Sequence, residues 1–264
     1  MKLAPYKPKM MRYLKLTAFC LLLLFCSFSV QQKQNINLVF IGDSITHGAR
    51  FKDPATQAPP VFAVAYLRQA GFSNVQMSNQ GVSGFTTVDF LPATHTVFAK
   101  VRAAADAFYT DKQAQLIFSI MLGTNDSAIT GPHGSPVQPQ DYSANLKTIT
   151  DSLLAAYPAC KVVINYPIWY SPNTHNNGAA YNQQGFDRIL TYLPEIDKLV
   201  KQYRRTNKGH VFLGDTKAYD YFKNNYLTDF WAENGKDGTF YLHPNEKGAV
   251  ALGNFWGEAI GKVL

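Results

Sequence analysis

Four short segments carry residue types that suit acyl transfer. They are "GDSITHG" with Ser44, "NQGVSG" with Gly81, "GTND" with Asn125, and "DGTFYLHPNEKG" with Asp237 and His243. A serine hydroxyl is a weak nucleophile until a base takes its proton, and histidine is the usual base. Attack on an ester creates an oxyanion, which needs hydrogen-bond donors fixed in advance. The backbone N–H groups of Ser44 and Gly81 and the side-chain amide of Asn125 can supply them, since glycine allows close backbone approach. Each residue also has a plain structural use. Ser44 or Asp43 can cap a helix, Gly81 can make a turn, Asn125 can cap or turn, and His243 before Pro244 can be an ordinary loop residue.

These residues belong together only if the elements between them bring them to one edge. "INLVFIGD", "LIFSIMLG" and "KVVINYPIW" are apolar runs of the kind that form strands buried on both faces, and "NVQMSNQG" and "HVFLGD" are weaker strands. "PPVFAVAYLRQAG" has a proline start and a glycine stop and reads as a helix. Helical patterns also cover residues 87–109, interrupted at Pro92, then 139–158, 185–206 and 244–264. This alternation predicts an α/β fold: a parallel sheet between two helical layers, in a three-layer sandwich. Sites in such sheets form at the carboxyl ends of the strands. Three of the four segments stand there, and a C-terminal loop can reach them.

"GDSITHG", "NQGVSG", "GTND" and "LHPN" resemble, in order, four of the conserved blocks of the SGNH hydrolases, also called the GDSL esterase/lipase family. The resemblance spans nearly all of the chain after residue 36. It implies an SGNH-type α/β/α sandwich around a five-stranded parallel core. It also implies Ser44 as nucleophile, His243 as base, an oxyanion hole of Ser44, Gly81 and Asn125, and no cofactor. One position departs from the family pattern. The residue three before the histidine, where the family usually carries its aspartate, is Phe240, and the nearest acid is Asp237, six before His243. Either a longer loop brings Asp237 to His243, or a backbone carbonyl orients the ring in a Ser–His dyad. The absence of a G-x-S-x-G motif argues against an ordinary α/β-hydrolase.

The net charge of +7 is not a nucleic-acid signature. Lys2, Lys7, Lys9, Arg12 and Lys15 supply five of those charges, and residues 1–30 contain no acid. The remaining basic residues are scattered, as on a solvated surface. A basic stretch followed by "LTAFCLLLLFCSFSV" reads as an export signal over residues 1–30, too short for a comfortable transmembrane span. The domain is then 31–264, located in the periplasm or outside the cell. Cys20 and Cys26 lie inside the signal and follow phenylalanines, which disfavours lipidation. Cys160 is then alone, so the exported chain has no internal disulfide. No His/Cys cluster with metal-ligand spacing occurs.

"YPIWYSPNTHNNGAAY" follows a strand end and is rich in aromatic, amide and turn residues. Trp169 and Tyr170 suit either stacking against a sugar ring or packing beneath a long loop. His47 reads as a local hydrogen-bonding residue, and His95, His133, His175 and His210 as structural or surface residues. The expected activity is an exported acetylesterase that frees O-acetyl groups from a carbohydrate through Ser44. The rivals are a lipid esterase, lysophospholipase or thioesterase on the same fold, and a glycan-binding protein that has lost turnover.

Overall fold

A computed structural model describes residues 1–2 and 34–264; the expected signal and its two cysteines lie outside the described residues. The first strand, β1 (Asn35–Gly42), runs into the one-turn helix α1 (Ser44–His47). Short α2 (Pro54–Gln57) and α3 (Pro59–Gln69) lead to β2 (Val75–Gly81). Then follow α4 (Phe98–Tyr109), β3 (Ala114–Met121), the one-turn α5 (Thr124–Ser127), α6 (Pro139–Ala156) and β4 (Lys161–Ile164). The chain continues through α7 (Asn182–Thr206), β5 (Val211–Leu213) and α8 (Ala218–Asp229). A hairpin of β6 (Glu233–Gly235) and β7 (Gly238–Phe240) precedes the last helix, α9 (Glu246–Gly261).

β1 to β5 form one parallel sheet in the order β2-β1-β3-β4-β5. Alternation along β1 separates the two cores, because successive strand side chains point to opposite faces. Val39 and Ile41 join α4, α6 and α7 through Val101, Leu146, Ile149 and Tyr192. Leu38 and Phe40 join α3, α8 and α9 through Leu67, Phe222, Leu252 and Trp256. Trp256 stacks on Phe40 with ring centroids 5.8 Å apart. Residues 34–264 therefore make one three-layer α/β/α unit with a five-stranded parallel sheet, as expected.

Three local differences from the sequence reading bear on the site. The β4 segment leaves the sheet at Ile164 rather than Trp169, because Asn165 turns its amide into the sheet end. Its Nδ2 donates to Ser119 Oγ at 3.0 Å and its Oδ1 accepts from Asp215 N–H at 2.9 Å. Helix α8 was not anticipated from its mixed pattern. Nor was the β6–β7 hairpin, although Asn-Gly-Lys-Asp-Gly, which contains its two-residue turn Lys236-Asp237, is a hairpin composition.

Candidate active site

β1 lies between β2 and β3, while the chain passes from β2 across to β3 on its far side. The order reverses there, and ligand crevices open outside the carboxyl ends of strands at such a point. Ser44 leaves β1 and Asn125 leaves β3 at this edge. Asp43 caps α1: its Oδ1 accepts from Ile45 N–H at 2.9 Å. Ser44 is thus both the first residue of a capped helical turn and a group placed at the sheet's edge.

Ser44 Oγ donates to His243 Nε2 at 2.9 Å. His243 Nδ1 donates to Glu233 Oε1 at 2.8 Å, which fixes the tautomer and leaves Nε2 free to accept. Glu233 Oε1 also accepts the His243 backbone N–H at 3.2 Å, and Oε2 lies 3.7 Å from Arg50 Nη1. His243 and Glu233 are both buried. The loop carrying His243 is laced to the segment ahead of the hairpin. Trp231 N–H donates to His243 O at 2.9 Å, and Asn245 N–H donates to Asp229 O at 3.0 Å.

The acid beside His243 is therefore Glu233, and the expectation for Asp237 is corrected. The register pairs Glu233 with Phe240 and Gly235 with Gly238, so Asp237 sits at the hairpin tip, away from His243. There Asp237 Oδ2 lies 2.8 Å from His175 Nδ1. Residues directly opposite in an antiparallel ladder share a face. Phe240 holds the position three before the histidine, and the carboxylate arrives from the neighbouring strand instead of from that position.

The three expected donors differ in their state. Ser44 N–H is the first of α1, and the opening N–H groups of a helix have no intrahelical acceptor. Asn125 is clamped from two sides: Nδ2 donates to Phe85 O at 2.9 Å, and Oδ1 accepts from Tyr181 Oη–H at 2.6 Å. One Nδ2 hydrogen is left over. Gly81 N–H donates to Asn79 Oδ1 at 2.9 Å, while Asn79 Nδ2 donates to Thr46 O at 2.8 Å. A Cβ on Gly81 would lie 2.3 Å from His47 N, so only glycine lets β2 end against α1.

Ser44, Asn125 and His243 line a cavity of about 440 Å³. Phe85, Leu242, Ala49 and Ala179 give it apolar wall, and Ser83, Asp89, His133, Asn176 and Tyr181 give it polar wall. Trp169 and Tyr170 do not reach it. Trp169 packs against Phe186, Tyr226 and Phe230, and Tyr170 is buried with its hydroxyl 2.9 Å from Ser127 Oγ. Both side chains serve packing beneath the loop, and the same loop meets the cavity further on, at Asn176, Gly178 and Ala179. His133 and His175, which showed no partner in the sequence, each pair with an aspartate.

Two carboxyls lie buried behind the site. Burial pushes Asp43 up to about 6 and Asp126 up to about 7. Asp126 Oδ1 accepts from the backbone N–H and the hydroxyl of Thr87, while among the described residues its Oδ2 has no hydrogen-bond partner. Cys160 is buried and its thiol is pushed up to about 12 by desolvation, which makes it unreactive.

The sandwich is flavodoxin-like, with Ser44, His243 and Glu233 in a hydrogen-bonded row at the edge of its sheet. A family model described as GDSL-like lipase/acylhydrolase matches residues 40–251, from β1 into α9. The chain belongs to this family and is a carboxylic ester hydrolase of the SGNH/GDSL type. No curated protein sequence matches it. Similar solved structures include a carbohydrate acetylesterase from Sinorhizobium meliloti, with 17% identity and a TM-score of 0.58 over 87% of this chain and 100% of that one. An aryl esterase from M. smegmatis is 18% identical with a TM-score of 0.59, over 87% of this chain and 100% of that one. An acetylxylan esterase from Geobacillus stearothermophilus is 19% identical with a TM-score of 0.55, over 88% and 96%. At these identities the likeness is one of fold.

Proposed function

We propose that the protein is an exported acetylesterase that removes O-acetyl groups from a carbohydrate through Ser44. The observation that carries the catalytic part is the relay Ser44–His243–Glu233, at 2.9 and 2.8 Å, opening into the cavity. Ser44 Oγ attacks the acetyl carbonyl while its proton passes to His243 Nε2. Glu233 holds the ring and stabilises its charged form. The oxyanion is met by Ser44 N–H and the spare Nδ2 hydrogen of Asn125. Gly81 N–H joins them once it is released by Asn79. The ester C–O bond breaks, and the sugar oxygen leaves with the proton from His243. Water then attacks the acetyl-enzyme, giving its proton to His243, and acetate departs as Ser44 recovers its hydrogen.

The acetyl and carbohydrate parts are supported by the cavity's wall, which mixes amide, imidazole and carboxylate groups with small apolar ones. Export is supported by the basic stretch and apolar run of residues 1–30. Among the described residues, no helix is long and apolar enough to cross a membrane. The glycan-binding alternative drew its support from the displaced aspartate, and Glu233 removes that support.

The test is hydrolysis of 4-nitrophenyl esters from acetyl to decanoyl by the purified protein and by Ser44→Ala. Activity highest on acetyl, falling with chain length and lost in Ser44→Ala, bears out the reading. A preference for long chains replaces it with a lipid esterase. Turnover unaffected by Ser44→Ala removes the serine mechanism.

A further inference from the structure

The cavity that holds Ser44 and His243 contains a second histidine–carboxylate pair which the ester chemistry does not use. His133 Nδ1 lies 2.9 Å from Asp89 Oδ1. The Asp89 side chain is 6% exposed and that of His133 is 67% exposed. A buried carboxylate thus grips one end of the ring, while the residue itself lines the cavity. Asp89 is fixed in turn: its Oδ2 accepts from Thr86 N–H at 2.9 Å and lies 3.2 Å from the Thr86 hydroxyl. The Thr86 hydroxyl also lies 2.8 Å from His133 O, which it can serve as donor.

The loop bearing His133 is locked against the loop bearing Asn176. Ile129 N–H donates to Ala180 O at 2.8 Å, and Ala180 N–H donates to Thr130 O at 3.1 Å. Gly131 has φ +111°, and a Cβ there would lie 2.1 Å from Gly178 O, so the two loops touch backbone to backbone. Asn176 Oδ1 accepts from Gly178 N–H and Ala179 N–H, both at 2.8 Å. That arrangement fixes the amide's orientation and commits its oxygen, leaving the Nδ2 hydrogens for a ligand.

The chemistry of this wall is specific. With Nδ1–H given to Asp89, His133 presents Nε2 as an acceptor. Asn176 presents N–H donors. A sugar hydroxyl donates and accepts, so hydroxyls can satisfy both groups, whereas an alkyl or aryl ester has acceptors but no donor and leaves His133 Nε2 unpaired. Preorganised polar groups of this kind are what discriminate between substrates, because they are left unpaired by the wrong one.

We propose that His133, held by Asp89, and Asn176 form a hydroxyl-binding subsite that selects partly acetylated saccharides with free hydroxyls over simple esters. The proposal rests on ester hydrolysis at Ser44 and names the substrate feature read beside it. His133→Ala and Asn176→Asp are the variants; the second keeps the oxygen that accepts from Gly178 and Ala179 and removes only the donors. The readout is the ratio of kcat/KM for a monoacetate of methyl β-D-xylopyranoside to kcat/KM for 4-nitrophenyl acetate.

That ratio is expected to fall about fivefold to tenfold in each variant, the scale of one lost hydrogen bond. The fall should come from KM of the glycoside. With the fully acetylated glycoside, which has no hydroxyl to donate to Nε2, the ratio in His133→Ala should move less than about twofold. A ratio that stays put in both variants overturns the subsite, whether both substrates weaken together or neither does. An equal fall in His133→Ala with the fully acetylated glycoside also overturns it, since hydroxyls are then not what is read. A protein that cleaves neither ester overturns the hydrolytic reading and the subsite with it, and turnover with an unmoved ratio overturns the subsite alone.

Discussion

Glu233 stands directly across the β6–β7 ladder from Phe240, and its carboxylate reaches His243 Nδ1 at 2.8 Å. Phe240 occupies the position three residues before the histidine, where the family's acid usually stands. In the hairpin that residue's cross-strand neighbour supplies the carboxylate at the imidazole. Arg50, 3.7 Å from Glu233 Oε2, supports the carboxylate from the solvent side.

Glu233→Gln should lower kcat by about 10²- to 10⁴-fold, because the amide can present its N–H to Nδ1 and impose the wrong tautomer. Asp237→Ala should leave kcat within about threefold, since it loses only a half-exposed pairing with His175. Steady-state kinetics on 4-nitrophenyl acetate decide it. The reverse order of effects would return the acid's role to Asp237.

Asn125→Ala should cost about 10²- to 10³-fold in kcat with a smaller change in KM, the pattern of a donor used in the transition state. The same change strands Tyr181 Oη and Phe85 O, which Asn125 now satisfies. A thermal melt alongside the kinetics separates the two losses: a lowered Tm with unchanged kcat per folded molecule would assign Asn125 to structure alone.

The buried carboxyls make stability depend on pH. Asp43 at about 6 and Asp126 at about 7 are held above the unfolded value of 3.8. Between those limits the native state binds more protons than the unfolded chain, so stability falls as pH rises. The contribution is intact below about pH 4 and is lost on passing through about pH 6 to 7, a change of a few kcal/mol. Asp126→Asn keeps an oxygen for Thr87 and removes the charge. Its Tm should exceed that of the parent at pH 8 and fall less steeply from pH 5 to 8. Parallel Tm–pH curves for the two proteins would show that Asp126 does not titrate in that range.

Trp169→Ala should destabilise the fold by about 3–5 kcal/mol, the usual cost of emptying a buried aromatic site. Trp169→Phe should be much milder and should leave KM for acetyl esters within about twofold. Denaturant unfolding and KM measured on the same preparations are the check. A large KM change in Trp169→Phe at unchanged stability would bring the ring back to the substrate.

The chain's own order determined the sheet and two members of the hydrogen-bonded row Ser44, His243 and Glu233. β1 and β3 are apolar on both faces, so each reads as a buried strand, and the polar turn after each must fall at the sheet's edge. Ser44 and Asn125 are carried there by their place in the chain, and His243 is marked by its own short motif. The third member is a matter of pairing. Glu233 meets His243 because the two-residue turn Lys236-Asp237 folds β6 onto β7 in one register, and a slip of one residue would turn its side chain to the other face. Spacing along the chain offers Asp237 or a backbone carbonyl as the ring's partner, and the same turn carries Asp237 away. Asp89 and His133 lie 44 residues apart and meet only because their loops converge over the strand ends. Composition suits Trp169 to a ligand platform and to packing alike, and its contacts with Phe186, Tyr226 and Phe230 place it in the core. Local pattern records which face a residue prefers, whereas contacts between loops depend on the whole chain's closure.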